Sequence, residues 1–242
     1  MKIGQHSLLR PRLSIGFKKL LLALNRDLDT IKLDIECNYN LRSYFDHSIY
    51  PDIGTLSQVE ITILFLEDRR FFIHRGVEAR AIARGLKRFV SRGRIGGIST
   101  IDQQVVRIST ARHQRTASRK GKELLLAFFL NFHCSKRRIF DFYIHNAYMG
   151  HGIQGCEVAA KKLFGIGATG MDKAQSSLVA SLLPLPLPKS VWEVYECHQL
   201  YPFRDPNEII KLASSVAPKW AGRASYRMNI AMNDQGFKPK SL

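Results

Sequence analysis

From residue 57 onward, apolar residues recur along most of the chain with the spacing of α-helices. Ser57 is placed to cap a helix that runs to about Arg70, and a second helix is predicted over 79–91, with one apolar and one basic face. The same reasoning predicts further helices that begin at Thr100, Thr116, Ser135, after Gly155, at Asp172 and at Asp205. No alternation of period two is long enough to predict a sheet, so the fold class is mostly α.

Residues 1–55 lack this pattern and are predicted to form an irregular or weakly helical lead-in. The first 26 residues contain six Lys or Arg and no acid, so we expect this basic segment to lie on an anionic membrane surface. The longest uninterrupted apolar runs, 20–24 and 124–130, are too short to cross a bilayer. We therefore expect neither a transmembrane helix nor a signal peptide.

Charge adds a second constraint to this helical picture. The 242 residues fit one domain with appendages, and 37 Lys plus Arg against 20 Asp plus Glu give a net charge of +17. Such a balance predicts attraction to nucleic acid, anionic lipid or a phosphorylated substrate. Between residues 80 and 122 the only acid is Asp102, so this segment is expected to carry the anion-facing surface; an ordinary solvated face is the alternative.

The first candidate for chemistry is the segment 67–78. Glu67 and Asp68 follow an apolar helix, and Phe71, His74 and Gly76 come within the next turns. Burial beside apolar groups raises the pKa of a carboxyl group toward the range useful for proton transfer. The segment therefore indicates a general base, although a surface ion pair with the neighbouring arginines is also compatible with it.

The second candidate begins with the glycine-rich loop of Gly93, Gly96 and Gly97. Ser99 and Thr100 then open a helix, whose free N–H groups suit an anion or a sugar oxygen. Gln103 and Gln104 supply amides on the first turn of that helix, and a purely structural helix start is the alternative.

The third candidate is a charge cluster at 119–123. Arg119, Lys120 and Glu123 are three and four residues apart, so they share one helical face. Cations of this kind neutralise a diphosphate leaving group, while the carboxylate orients them or holds a divalent ion. An ordinary intrahelical salt bridge would have the same spacing.

Taken in this order, the three segments resemble the signature of the peptidoglycan glycosyltransferases found in monofunctional wall synthases and penicillin-binding proteins. That signature reads Glu-Asp-x-x-Phe-x-x-His-x-Gly, then Gly-x-Ser-Thr-x-x-Gln-Gln, then Arg-Lys-x-x-Glu, and all of it stands in this chain. The segment 135–165 resembles the next family motif, with Lys136 at a matching position. The resemblance covers roughly residues 57–190 and is specific, because long independent motifs rarely coincide in order.

The resemblance implies a lysozyme-like helical fold with mobile glycine-rich loops. Residues 56–190 would form the glycosyltransferase domain, residues 191–242 a C-terminal helical extension of that domain, and residues 1–55 the basic lead-in.

The resemblance also implies the reaction. Glu67 would accept the proton of a sugar 4-hydroxyl, which attacks the donor's anomeric carbon with inversion, so that lipid II is polymerised into glycan strands. Glu123 would help release the lipid diphosphate, with Mg2+ or Mn2+ bound to Glu123 and no organic cofactor. The substrate-binding residues implied are Asp68, Phe71, His74, Ser99, Thr100, Gln103, Gln104, Arg107, Arg119, Lys120 and Lys136.

The implied place of work is the outer face of the bacterial inner membrane. The expected partners are lipid II, the nascent glycan strand, the anionic membrane surface and other cell-wall synthesis proteins, with no nucleic acid. The chain departs from the family pattern at Arg107, Ile108, His145 and Gln175, and only a remnant of the arginine-rich fifth motif stands at 223–232. These changes bear on donor affinity and processivity.

Two other interpretations of the sequence stay open. A lysozyme-like glycan-cleaving enzyme would also use a carboxylic acid in a helical domain, but the cluster at 119–123 has no diphosphate to release in that reaction. A degenerate relative or basic module would bind lipid precursor, anionic membrane or nucleic acid without turnover, which the net charge of +17 alone would support.

Overall fold

A computed structural model describes residues 15–45, 56–92, 99–112, 114, 116–197 and 202–240. The predicted glycine-rich loop and the first 14 residues of the lead-in lie outside this part of the chain. A two-stranded antiparallel sheet, which the sequence pattern did not predict, is formed by β1 (Tyr148–Gly150) and β2 (Ile153–Gln154). The α-helices of the described residues are α1 (Ile15–Phe45), α2 (Gln58–Glu67), α3 (Ala79–Arg92), α4 (Ile101–Thr110), α5 (Ala117–Leu130), α6 (Lys136–Asn146), α7 (Cys156–Phe164), α8 (Lys173–Leu182), α9 (Lys189–Cys197), α10 (Pro206–Val216) and α11 (Pro218–Met232).

The mostly α fold class is confirmed, and most predicted helices begin where their caps were predicted. Thr100 accepts the backbone N–H of Gln103 through its hydroxyl, and Ser135 accepts that of Arg138 in the same way. These bonds satisfy donors that the first turn of a helix leaves free. Helix α6 ends at Asn146 rather than near Gly150, because the chain turns into β1 there.

Of the two alternatives predicted for the lead-in, irregular or weakly helical, the irregular one is wrong for residues 15–45, which form the single helix α1. Its apolar residues Leu24, Leu28, Ile31 and Ile35 are buried in the main core. They recur every three or four residues, so they lie on one face of the helix and pack against the rest of the molecule. Helix α1 is therefore part of the packed domain, lying against α4, α5 and α6.

Two groups of helices meet in a continuous core. Helix α4 lies against α1, α5 and α6, while α8 lies between α2 and α11. The turn after α2 connects the two groups, because Phe71 packs within 5.6 Å of Phe140 on α6, measured between ring centres. Among the described residues, no helix is both long and apolar enough to span a bilayer.

Candidate active site

An open cleft of about 550 Å³ lies where α2 ends. Three acids line it, Glu67 at the end of α2, Asp68 and Glu78, and Ser99 and Thr100 form part of its wall at the start of α4. Basic side chains provide much of the remaining lining: Arg69, Arg70, Arg84 and Arg227. The cleft thus presents three carboxylates among four guanidinium groups, which leaves a formal surplus of one positive charge.

Both carboxylate oxygens of Glu67 have partners. Oε2 accepts a hydrogen bond from Nε2 of Gln104 at 3.1 Å, and Oε1 forms an ion pair with the guanidinium of Arg227. The Glu67 side chain is 11% exposed, so it still reaches the cleft. Each oxygen keeps a second lone pair, so a ligand hydroxyl can donate to Glu67 while these two contacts remain.

Arg227 is a site residue that the sequence reasoning missed. It lies on α11, 160 residues after Glu67, in the segment interpreted as a remnant of the fifth family motif. The basic composition of that segment was the available signal, but nothing in the sequence indicated which arginine faces Glu67. Helix α11 reaches the site because it packs against α8 and α2.

The first turn of α4 connects this acid to the second candidate acid. Gln104 donates to Glu67, and its side-chain oxygen accepts the Tyr143 hydroxyl at 2.8 Å. The preceding residue, Gln103, uses its side-chain oxygen to accept Nζ of Lys120 at 2.5 Å. Two consecutive glutamines therefore hold Glu67 on one side and the charge cluster on the other.

The charge cluster brings together residues that the sequence placed in two separate segments. Glu123 is 3% exposed and accepts Arg107 at 3.1 Å and Lys120 at 2.5 Å through Oε1, and Arg119 at 2.5 Å through Oε2. Lys120 also donates to the hydroxyl of Ser99 at 2.9 Å, and Ser99 lines the cleft. Three cations around one acid leave a formal surplus of two positive charges at the edge of the cleft.

Titration of this cluster is set by burial and by charge. Burial opposes ionisation of Glu123, but the hydrogen bonds and charges of Lys120 and Arg107 outweigh burial and hold its pKa below the usual glutamate value. Burial lowers the pKa of Lys120, and the charges of Arg107 and Arg119 lower it further against the effect of Glu123. The buried Nε groups of Arg107 and Arg119 have no hydrogen-bond partner among the described residues.

This arrangement does not fit a divalent cation at Glu123. Both of its oxygens already face cationic side chains, and a metal ion would have to displace at least one of them. The same positive surplus is complementary to an anion.

A second charged network lies beneath the site. Asp68 accepts Nε2–H of His74 at 2.9 Å and the backbone N–H of Ile101 at 3.2 Å, so it binds the start of α4. Asp102, which is fully buried, accepts Nζ of Lys136 at 2.9 Å with each oxygen and the amide of Asn131 at 2.8 Å. Burial raises the pKa of Asp102, and it lowers that of Lys136.

Close packing of the turn after α2 explains the glycine in the first motif. Gly76 has φ of +77°, and a Cβ there would collide with the carbonyl of Ala127 on α5. Its own carbonyl accepts the hydroxyl of Thr100 at 2.7 Å. The turn after α2 is therefore fastened between α4 and α5 at a position that only glycine fills without strain.

Asp68, His74 and Asp102 also have the composition of a metal site, with one potential ligand atom from each lying within 4.8 Å of the others. Two interactions argue against that use. Asp68 is hydrogen-bonded to His74, and both oxygens of Asp102 bind the ammonium of Lys136. The group is a network of ion pairs that fixes the base of the site.

Several residues predicted to bind substrate lie in the interior. Phe71 is 1% exposed and packs with Phe72 and Phe140, while Gln103 is fully buried. The Lys136 side chain is 9% exposed, with its ammonium 4.3 Å from the centre of the Phe71 ring. The structure gives these residues packing and positioning contacts, whereas Glu67, Asp68, Ser99 and Thr100 line the cleft.

The two predicted catalytic acids line different pockets of the described residues. Glu67 lines the large cleft, whereas Glu123 lines a separate pocket of about 10 Å³ between α4 and α5. Besides the two glutamines, Ser99 also connects them, because it lines the cleft and accepts a hydrogen bond from Lys120.

Comparison with known proteins points to one family. The family described as Transglycosylase matches residues 42–199. The match includes Glu67, the first turn of α4, the charge cluster and Lys136, whereas Arg227 lies beyond it.

Individual relatives agree with this match. A protein named biosynthetic peptidoglycan transglycosylase from Xylella fastidiosa (strain M23) is 33% identical over 141 residues, which are 58% of this chain and 58% of that protein. One of the same name from Alcanivorax borkumensis is 33% identical over 154 residues, covering 63% of this chain and 58% of its own length. Penicillin-binding protein 2a of Streptococcus pneumoniae is 34% identical over 138 residues, which are 57% of this chain but 18% of that protein. The chain thus spans less than two thirds of the length of these relatives.

Proposed function

Because the chain belongs to the transglycosylase family, we propose that it is a peptidoglycan glycosyltransferase that extends glycan strands from lipid II. The observation that carries the proposal is the cleft in which Glu67 stands among arginines, with the cation cluster at its Ser99 edge. A sugar carried on a lipid diphosphate needs a base for the incoming hydroxyl and cations for the leaving group, and the two sites supply these.

In the proposed reaction, Glu67 accepts the proton of the acceptor sugar's 4-hydroxyl. The oxygen forms a bond to the anomeric carbon of the donor from the face opposite the leaving group, so the configuration inverts. The bond from that carbon to the diphosphate oxygen breaks, and the diphosphate leaves with the electron pair. Arg107, Arg119 and Lys120 neutralise its charge, and Glu123 keeps these three cations together.

The proposal gives the remaining residues supporting tasks. Gln104 and Arg227 orient Glu67, Ser99 offers its hydroxyl to substrate oxygens, and Thr100 caps α4 and holds it against the carbonyl of Gly76. Asp68, His74 and Lys136 hold the floor of the site through Asp102 and α4. The nascent glycan, an anionic membrane surface at the outer face of the bacterial inner membrane and other wall-synthesis proteins are the partners expected of such an enzyme.

The test is incubation of the full chain with purified lipid II in detergent, followed by separation of glycan products by size. We expect long glycan from the wild type and none from Glu67→Gln, while Glu193→Gln, an exposed acid on α9, keeps wild-type activity. Addition of a metal chelator should leave the product yield within about twofold, because cationic side chains surround Glu123. Folded wild-type protein that makes no glycan in several detergents contradicts the proposal.

Capture of the precursor without turnover is the second candidate, because both oxygens of Glu67 already have partners. The same assay separates the two functions when bound and converted lipid II are measured in one sample. Saturable binding without product would favour capture. Release of soluble fragments from purified cell wall would instead indicate glycan cleavage.

A further inference from the structure

Helix α5 has two apolar faces, one that packs in the core and one that is exposed to solvent. Leu126, Ala127 and Leu130 are buried in the core. A second set of apolar residues, spaced i, i+3, i+4 and i+7, faces outward instead. We call this set the α5 aromatic stripe: Leu125, Phe128, Phe129 and Phe132, the last of which lies two residues past the helix end.

The stripe is a continuous surface rather than a scatter of single residues. Its members are 39–56% exposed, and the ring of Phe128 contacts those of Phe129 and Phe132, with centres 5.7 and 5.1 Å apart. These three neighbouring phenylalanine rings, with the exposed Leu125 one turn earlier, form an apolar surface in contact with water, which a lipid phase or another molecule could cover.

Cations flank the stripe at both ends. The guanidinium of Arg75, an exposed residue, lies 5.8 Å from the centre of the Phe132 ring, and Lys122 precedes Leu125 by one helical turn. The only acid of α5, Glu123, is buried and paired with three cations. The helix therefore shows apolar and cationic groups to solvent, without an exposed carboxylate of its own.

We propose that the α5 aromatic stripe is the surface by which this chain contacts an anionic lipid bilayer. Apolar rings enter the boundary between headgroups and acyl chains, while flanking Lys and Arg pair with anionic headgroups. A second copy of the chain fits the stripe less well, because two molecules of net charge +17 repel each other. The same helix carries the Arg119–Glu123 cluster, so the contact would bring that cluster to the headgroup plane; this last consequence rests on the proposed function.

The test is flotation of the full chain with vesicles of phosphatidylglycerol and phosphatidylcholine, compared with vesicles of phosphatidylcholine alone. We expect Phe128→Gln/Phe129→Gln/Phe132→Gln to weaken binding to the anionic vesicles at least tenfold, because each ring loses its apolar contact with lipid. The matched control Val158→Gln/Val216→Gln/Tyr226→Gln removes three exposed apolar residues elsewhere and should bind as the wild type does. Far-ultraviolet circular dichroism checks that both variants fold.

A second measurement reports on the position of the stripe itself. The tryptophan introduced by Phe132→Trp should shift its fluorescence emission to the blue when anionic vesicles are added, and brominated acyl chains should quench it. The tryptophan introduced by Tyr226→Trp should show neither change. Equal binding of the wild type and the triple-glutamine variant would overturn the proposal, because only the net positive charge would then explain the binding. Concentration-dependent dimers of the wild type that disappear in that variant would overturn it too, in favour of a contact between copies.

Neither measurement depends on catalysis. Vesicle binding by a catalytically inactive chain would support this inference while the proposed function fails. An active chain whose vesicle binding does not change when the stripe is substituted would support the proposed function while this inference fails.

Discussion

The side chain of Glu67 is held from two directions, and the two contacts differ in how readily they can change. Gln104 is fixed at its other end by the buried Tyr143, whereas the Arg227 side chain is 22% exposed at the cleft. We therefore expect an incoming hydroxyl to bind Oε1 beside the more exposed Arg227, while Gln104 and Arg227 together keep the carboxylate oriented.

Arg227→Ala tests this positioning role. Loss of a charge-assisted contact to Glu67 should lower kcat roughly ten- to a hundredfold with little change in KM, because the carboxylate loses its orientation before the transition state. Steady-state kinetics on lipid II measures the split between the two constants. Arg223→Ala, an exposed arginine one turn earlier on α11, should be close to wild type, and Arg227→Lys should restore part of the loss. An Arg227→Ala enzyme with unchanged kcat would show that the ion pair is incidental.

Lys136 is expected to act on stability. Lys136→Met leaves the fully buried Asp102 without its cation, which should cost roughly 3–5 kcal/mol in the free energy of unfolding. Urea unfolding followed by circular dichroism measures this loss. The double variant Lys136→Met/Asp102→Asn should recover most of it, since the unpaired buried charge is gone. If the single variant is as stable as the wild type, Lys136 is free to bind substrate instead.

Among the helices, α1 is expected to stabilise the domain through the apolar face that it buries in the core. Ile31→Ala should lower the free energy of unfolding by roughly 2–5 kcal/mol, because a fully buried side chain is replaced by a cavity. Leu33→Ala removes a residue that is 60% exposed on the same helix and should change it by less than about 0.5 kcal/mol. Urea unfolding of the two variants gives both values. Equal small effects would mean that α1 does not contribute to the stability of the domain.

The start of α5 has a predictable response to pH. The pKa of Glu123 is lowered in the folded chain, so its ion pairs stabilise the fold above the usual glutamate range, and this contribution is lost as the pH falls through the lowered value. The difference in unfolding free energy between the wild type and Glu123→Gln should therefore be largest near neutral pH and shrink in acid. Chemical denaturation at a series of pH values measures it. A difference that grows on acidification would contradict the assigned direction.

Most elements could be predicted from local sequence, because their causes are local. Caps such as Ser135 and Asp172 act within one turn, and the apolar spacing of α2 and α3 lies within each helix. Helix α1 also carried a local signal in the spacing of Leu24, Leu28, Ile31 and Ile35, but the many polar and charged residues between them hid the pattern. The short β1–β2 hairpin is too small to show alternation.

At the scale of the whole molecule, the motifs predicted which segments carry the site but not how they contact one another. The pairing of Lys136 with Asp102 and that of Arg227 with Glu67 join residues 34 and 160 positions apart, and no local pattern encodes such contacts. For the same reason Phe71 and Gln103 were predicted to bind substrate, although packing buries both. Motif spacing identifies the residues that a site needs, whereas packing decides which of them face the cleft.

The net charge of +17 also acts at this scale, since basic side chains line the cleft, surround Glu123 and flank the α5 aromatic stripe. We expect binding of the lipid precursor and of anionic vesicles to weaken together as salt is raised. Titrations at about 0.05 and 0.5 M salt measure both affinities. Salt-independent binding would mean that the cations do not take part in recognition.

Single-turnover kinetics on lipid II shows whether Glu67 accepts the proton of the attacking sugar. For Glu67→Gln we expect an affinity for lipid II within about threefold of the wild type and a rate of bond formation lower by at least about a thousandfold, because the amide can be oriented in the same place but cannot take the proton. A Glu67→Gln protein that forms glycan at a rate near that of the wild type would mean that another group takes the proton.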